Sequence, residues 1–231
     1  MKQVMLITGS RKGVGRWLAE YYLSKGWVVI GCSRQESDLQ RAGYLHYQAD
    51  VRDGEDVKLL FQEIKNTQGQ LDVLINNAGV ASMNSSLLTT MLSADDILAT
   101  NVLGTFLFCQ AAAKLMINKN QGRIVNMSSV AVPLNLAGEA VYAASKAAIN
   151  SLTKTLAKEY AAWGITVNAA GLSPIQTDLI KNISAKKIQA LKDQLPLRRL
   201  GTFEDVANVV DFFIQPSSNG ITGQIIYLGG V

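Results

Sequence analysis

Short apolar runs alternate with longer stretches of helical hydrophobic periodicity along the whole chain. Residues 4–8, 27–32, 44–48, 73–76, 123–127, 165–169 and 224–228 read as strands, rich in Val, Ile and Leu and bounded by Gly, Asn, Asp or Ser. Between them, apolar residues recur at three- and four-residue steps near 14–25, 54–67, 93–118, 141–162 and 202–214, which predicts helices. Strands that are apolar on both faces and alternate with helices imply a doubly wound parallel sheet of about seven strands, covered on both sides. No repeat, low-complexity tract or linker interrupts the pattern. The expectation is one α/β domain over residues 1–231 with a less regular insertion near 172–200.

Composition narrows the function classes. The 231 residues are 48% hydrophobic with four prolines, which suits a packed core and excludes a mostly disordered chain. A net charge of +4, with Lys and Arg dispersed, gives no basic stripe for nucleic acid or anionic membrane, although it leaves room for a local phosphate site. No uninterrupted apolar stretch reaches ~18 residues, so no membrane span is expected. The N-terminus is short and strand-like, unlike a signal peptide. Cys32 and Cys109 fall in a strand end and a predicted helix and are expected as buried thiols, consistent with the cytoplasm. With a single histidine, His46, and no clustered Cys, His or carboxylate set, no metal is expected. His46 itself reads as structural or exposed.

Candidate chemistry concentrates in a few segments. Gly9, Gly13 and Gly15, in Thr8-Gly9-Ser10-Arg11-Lys12-Gly13-Val14-Gly15, fall between the first strand and the first helix. Glycine there permits a tight turn and lets backbone N–H groups approach a pyrophosphate at the helix N-terminus. The spacing Gly-x-x-x-Gly-x-Gly differs from the Gly-x-Gly-x-x-Gly dinucleotide fingerprint. Tyr142 and Lys146 lie one turn apart on one helix face, with Ser128-Ser129 upstream. A tyrosine that exchanges a proton near neutrality needs its pKa brought from about 10 towards 7, roughly 4 kcal/mol. An ammonium at ~4 Å supplies about that much at an effective dielectric of ~20. Hydroxyl, phenol and ammonium beside a dinucleotide turn describe carbonyl–alcohol redox chemistry. The Tyr–Lys spacing alone is equally compatible with a half-buried tyrosine and a solvated lysine.

In order and spacing these motifs resemble the short-chain dehydrogenase/reductase family from end to end of the chain. The resemblance implies a single-domain Rossmann-like fold. It makes Thr8-Gly9-x3-Gly13-Val14-Gly15 the cofactor turn, Asp50-Val51 the adenine contact, and Asn76-Asn77-Ala78-Gly79 the motif after the fourth strand. Asn101, Ser129, Tyr142 and Lys146 fall where the family's catalytic tetrad lies; Ser129 is preferred over Ser128 because it stands thirteen residues before Tyr142. The implied roles are Ser129 hydrogen-bonding the carbonyl oxygen and Tyr142 exchanging the proton. Lys146 would tune the tyrosine and hold the nicotinamide ribose, while Asn101 would help hold a relay water. For the cofactor, an acid after the second strand suits NAD and an arginine suits the 2′-phosphate of NADP. Here Ser33 occupies the acid position and Arg34 follows, with Arg11 and Lys12 adding positive charge, so NADP(H) is the expected cofactor. Ile175 and Thr177 are expected near the nicotinamide.

The chain departs from the family pattern after the sixth strand, where Leu172-Ser173 replaces a Pro-Gly pair. The closest motifs are those of bacterial 3-oxoacyl-(acyl-carrier-protein) reductases. Yet Asn120 and Trp163 stand where their carrier-docking arginines align, Lys114, Lys119 and Lys158 substitute only in part, and Glu139 adds negative charge near the entrance. A small-molecule ketone or 3-oxoacyl thioester is therefore the expected substrate, with carrier-protein docking left open. Leu179, Ile180, Ile183, Ile188, Leu191 and Leu195 form a stripe that suits either a lid over an apolar pocket or an ordinary surface helix. The resemblance also implies a homo-oligomer, tetramer before dimer. Two rival readings remain: an NAD(P)-dependent alcohol or sugar dehydrogenase, and a non-catalytic dinucleotide-binding sensor.

Overall fold

The computed structural model describes residues 2–175 and 185–231. Its centre is β1 (Val4–Thr8), every residue of which is buried. Val4 and Leu6 enter one apolar cluster while Met5 and Ile7 enter another, because successive strand side chains point to opposite faces. One strand thus seeds two cores. The first is covered by α2 (Gly54–Gln68), α4 (Thr105–Met116) and α6 (Ala140–Tyr160), through residues such as Phe61, Phe108 and Leu156. The second is covered by α1 (Gly13–Ser24) and α8 (Phe203–Ile214), through Leu18, Tyr22, Val210 and Phe213.

The remaining strands are β2 (Val28–Ser33), β3 (Tyr44–Gln48), β4 (Val73–Asn76), β5 (Gly122–Ser129), β6 (Ile165–Leu172) and β7 (Ile225–Tyr227). All pair in parallel, in the order β3-β2-β1-β4-β5-β6-β7. The order reverses between β1 and β4, and ligands bind such sheets beyond the carboxyl ends of the strands at that switch point. The fold matches the sheet, strand number and two-sided helix cover expected from the sequence.

Three local differences bear on the site. β5 and β6 each extend past their expected ends, pairing Ser129 with Leu172, and Val130 N–H donates to the Leu172 carbonyl at 3.0 Å. With Leu-Ser in place of Pro-Gly the strand simply continues, and neither residue takes a positive φ. The helix expected over 93–118 is interrupted: α3 (Met91–Leu98) passes through a π-helical turn, Ala99–Gly104, into α4. A short α5 (Ala131–Leu134), too brief to show periodicity, follows β5.

The stretch Met91–Lys119 has the length and apolar composition that a membrane span shares with the core helix of a globular domain. Half of its most apolar window is buried within the protein, and Phe108, Cys109, Ala112, Ala113 and Met116 supply the core against the sheet. Cys32 and Cys109 are free and buried, with burial pushing both thiols up to about 12. Of the apolar stripe, positions 179, 180 and 183 lie outside the described residues. α7 (Ala185–Gln194) carries Ile188, and Leu195 is buried beside Gly229.

Candidate active site

The loops beyond β1 through β6 enclose a cavity of ≈ 1100 Å³ that runs from the glycine turn to Tyr142. At one end, Gly9 and Gly13 take positive φ, 66° and 60°, and start α1 with its first N–H groups at the cavity wall. Gly15 serves a different purpose. A Cβ there would come within 2.5 Å of the Gly9 carbonyl oxygen and the Asn77 carboxamide, so only glycine lets the turn close on the loop after β4.

Thr8 and Asn77 fasten those two loops together. Thr8 Oγ1 accepts from Asn77 N–H at 3.0 Å and Ala78 N–H at 2.9 Å, while Asn77 Nδ2 donates to the Thr8 carbonyl at 2.9 Å. Thr8 and Gly15 therefore support the wall from behind. Gly9, Arg11, Lys12, Gly13, Val14, Asn77, Ala78 and Gly79 form its surface.

The rim beside the glycine turn is basic. Arg34 is exposed at the cavity rim, beside Ser33, with Arg11 and Lys12 across the opening. Arg16 is held by Glu20 and Asp38, and Arg52 by Asp50 and Asp96. Among the described residues Arg34 makes no ion pair, so its fork stays available for a phosphate. Asp50 and Val51 line the wall between, with the Arg52 guanidinium holding the Asp50 carboxyl below its ordinary value. Ser33 hydroxyl donates to the Gln35 carbonyl at 2.6 Å, which commits it to shaping the loop. The two-ended shape and charge fit NADP, a dinucleotide with an additional ribose phosphate.

At the reacting end Ser129 terminates β5, and its Oγ accepts from Ala131 N–H at 3.1 Å. Ser128, one step back, turns to the other face and bonds the Lys146 carbonyl. Strand alternation thus separates the two serines and gives Ser129 the position nearer Tyr142. Burial pushes the Tyr142 phenol up to about 12, against a lowering by the Ser129 hydroxyl, and the Glu139 carboxylate pushes it further up.

The sequence spacing predicts an ammonium that lowers that phenol; what shifts it in the structure is its own burial, with Ser129 and Glu139. Lys146 Nζ donates to the Met127 carbonyl at 2.7 Å and sits 5.8 Å from the Tyr142 ring centre. Complete burial pulls its own pKa down to about 8, which still leaves it mostly charged at neutral pH. The phenol is therefore protonated throughout the neutral range, the form a general acid needs.

Asn101 does not line the cavity. Its Oδ1 accepts from Val80 N–H at 2.9 Å; its Nδ2 donates to the Val80 carbonyl at 2.9 Å and to Ser145 Oγ at 3.0 Å. It locks the loop after β4 to α6, one residue from Lys146. Ile175 lines the cavity and bridges to Gly201, whereas Thr177 lies outside the described residues. Sequence reasoning missed Ser145, Met127 and the wall residues Val80, Met83 and Leu136. Only Ser145 carried a signal, as the polar residue between Tyr142 and Lys146 on α6.

A dinucleotide cleft that ends on a hydroxyl, a phenol and an ammonium places the chain in the class of carbonyl–alcohol oxidoreductases. It belongs to the short-chain dehydrogenase/reductase family: residues 9–230 match the family profile described as enoyl-(acyl carrier protein) reductase. The 3-oxoacyl-[acyl-carrier-protein] reductase FabG of Aquifex aeolicus is 36% identical over 238 residues, spanning 99% of this chain and 96% of that protein. FabG of Vibrio cholerae is 33% identical over 234 residues, with 99% and 96% covered. The solved structure of ElxO with NADP bound has a TM-score of 0.91 at 32% identity, covering 99% of this chain and 97% of that one.

Proposed function

We propose that the protein is an NADPH-dependent carbonyl reductase that delivers a hydride to a ketone, including 3-oxoacyl thioesters, with Tyr142 as the proton donor. The carrying observation is the continuous cavity that joins the glycine turn and Arg34 to Ser129 and Tyr142. NADPH supplies the hydride when bound. Ser129 steadies the carbonyl oxygen as charge develops on it, and Tyr142 gives that oxygen its proton. Lys146 and Asn101 keep the helix, strand and loop around the phenol in place. The fit of the residues to NADP agrees with ElxO, whose structures hold NADP and NADPH. Consumption of NADPH with neutral ketones, 3-oxoacyl thioesters, keto sugars and an enoyl thioester tests the reading. Turnover of the enoyl thioester alone, or none at all, would overturn it.

Carrier-protein docking depends on where charge lies relative to the cavity. Asn120 and Trp163 precede β5 and β6, so they lie at the end of the sheet opposite the cavity, roughly 25 Å away at ~3.3 Å per strand residue. Their lack of positive charge does not bear on the mouth of this subunit's own cavity. Glu139 does, since it lines the reacting end and burial raises its carboxyl above the ordinary value. An anionic group within ~8 Å of it meets about 2 kcal/mol of repulsion at an effective dielectric of ~20. Glu139→Gln should raise kcat/KM for a keto acid, relative to its neutral ester, by roughly 10- to 30-fold. An unchanged ratio would place Glu139 outside the substrate's reach.

The 231 residues act as one domain serving cofactor and substrate, supported by the single sheet that carries both ends of the cavity. A cytoplasmic setting is supported by the free buried thiols. A homo-oligomer, tetramer first and dimer second, is supported by the exposed Leu98, Leu103 and Phe106 along the α3–α4 stretch. Light scattering at micromolar concentration should give a multiple of the 25.0 kDa chain mass; a monomer would contradict it.

A further inference from the structure

We propose that His46 is a positioning residue for the phosphate-reading loop, joined through Tyr44 to Ser10, and that this strut sets the preference for NADPH over NADH. The inference rests on the NADPH reading above. His46 lies on β3, directly opposite Gly31 in the β2–β3 register. Its Nε2 is 3.1 Å from Ser33 Oγ and 3.1 Å from the Gln35 carbonyl oxygen. Its Nδ1 is 2.9 Å from the Tyr44 hydroxyl, which is 3.0 Å from Ser10 Oγ. Ser10 belongs to the glycine turn and is fully buried. Ser33 and Gln35 are the immediate neighbours of Arg34.

Hydrogen accounting gives the chain one direction. The Ser33 hydroxyl donates to the Gln35 carbonyl at 2.6 Å, so its own hydrogen is engaged. A carbonyl oxygen only accepts. Both contacts at Nε2 therefore require a hydrogen on that nitrogen, which these partners assign to it. In the neutral ring Nδ1 is then an acceptor, filled by the Tyr44 hydroxyl, which in turn accepts from Ser10. One tautomer satisfies every member, and burial holds the imidazole below its ordinary pKa, favouring this neutral form.

Space for the strut is built into the strand below. A methyl group at Gly31 would overlap both Ser10 Oγ and the Tyr44 hydroxyl. Glycine at this buried strand position gains nothing for the sheet itself, where it weakens packing. It admits the network.

The functional consequence falls on Arg34. An exposed arginine that closes on a phosphate loses side-chain and loop freedom, and that loss weakens binding. Tethering the residues on both sides of Arg34 settles much of the loop beforehand. NADH presents a hydroxyl in place of the phosphate and makes no demand on the arginine fork, so it gains nothing from the tether.

The test measures Kd for NADPH and NADH by tryptophan fluorescence, together with kcat and KM, in wild type, His46→Ala, His46→Gln and Tyr44→Phe. The loss of one or two hydrogen bonds predicts a 3- to 10-fold weaker Kd for NADPH in His46→Ala. NADH binding should stay within twofold and kcat at saturating NADPH should be unchanged. Gln retains a donor near the position of Nε2 and should recover most of the loss. Tyr44→Phe removes only the hydroxyl and should show a smaller loss of the same sign, which keeps the test valid if His46→Ala folds poorly. Equal losses for the two cofactors, or no loss for NADPH in both His46→Ala and Tyr44→Phe, would overturn the proposal while leaving the NADPH reading intact. Tighter binding of NADH than NADPH by the wild type would instead overturn the cofactor reading itself.

Discussion

Replacement of Tyr142 by phenylalanine is expected to lower kcat by about 10²- to 10⁴-fold, the usual contribution of a positioned general acid. The Kd for NADPH should be unchanged, because the ring stays and only the hydroxyl beside Ser129 is removed. The electrostatics sharpen the expectation. Burial pushes this phenol up to about 12, so it carries its proton throughout the neutral range and needs no neighbour to load it for ketone reduction. The same environment hinders the oxidative direction, in which the phenol must first give its proton away. The reductive kcat of the wild type should therefore hold flat through neutral pH and fall only on the alkaline side. Retention of more than about a tenth of kcat by the phenylalanine variant would remove Tyr142 from the proton-transfer step.

Arg34→Ala carries the second large effect. One charge-assisted contact to a phosphate contributes about 1.5–3 kcal/mol, which corresponds to roughly a 10- to 150-fold loss of NADPH affinity. NADH, with a hydroxyl there, should bind almost as before. Arg34 is exposed and unpaired among the described residues, so its removal leaves no buried partner without a bond and should not lower stability. Lys12→Ala should act in the same direction more weakly and lose its effect in salt, since an exposed charge is screened over ~10 Å at 0.1 M. Equal losses for both cofactors would mean that Arg34 supports the loop rather than reading the phosphate.

Much of this arrangement was legible because the signals were local. The unbroken apolar run at the start of Val4–Thr8 pointed to a strand buried on both faces, and glycines at 9, 13 and 15 marked a turn only glycine can make. The Tyr142–Lys146 spacing correctly put both residues on one helix face. It did not reveal where the lysine amine goes, since its partner is the carbonyl of Met127 on another element. Periodicity fixes the direction of a Cβ, while side-chain torsions answer to tertiary neighbours. The same limit hid the role of Thr8 and Asn77, which carry the family motif yet mainly bind loop to loop. For His46 the sequence offered only a structural or exposed reading: its partners come from β1's turn, β2's end and its own strand, and only folding brings them together.

The π-helical turn at Ala99–Gly104 has a consequence for how the chain tolerates length changes. A π turn holds one residue more than the regular spiral, and such turns are frequent at functional sites. Removing a single residue there would let α3 and α4 merge into one ordinary helix, a local gain in regularity. Because a π turn spends its extra residue within the turn, a regular helix one residue shorter would leave α3 and α4 in nearly the same relation to each other. Asn101, inside the turn, would leave its three bonds to Val80 and Ser145, while the face of α4 that holds Phe108 and Ala112 against the sheet would keep its place. The irregularity thus serves Asn101 rather than the helices on either side of it, and a shorter, straighter helix here would cost the loop after β4 its tie to α6.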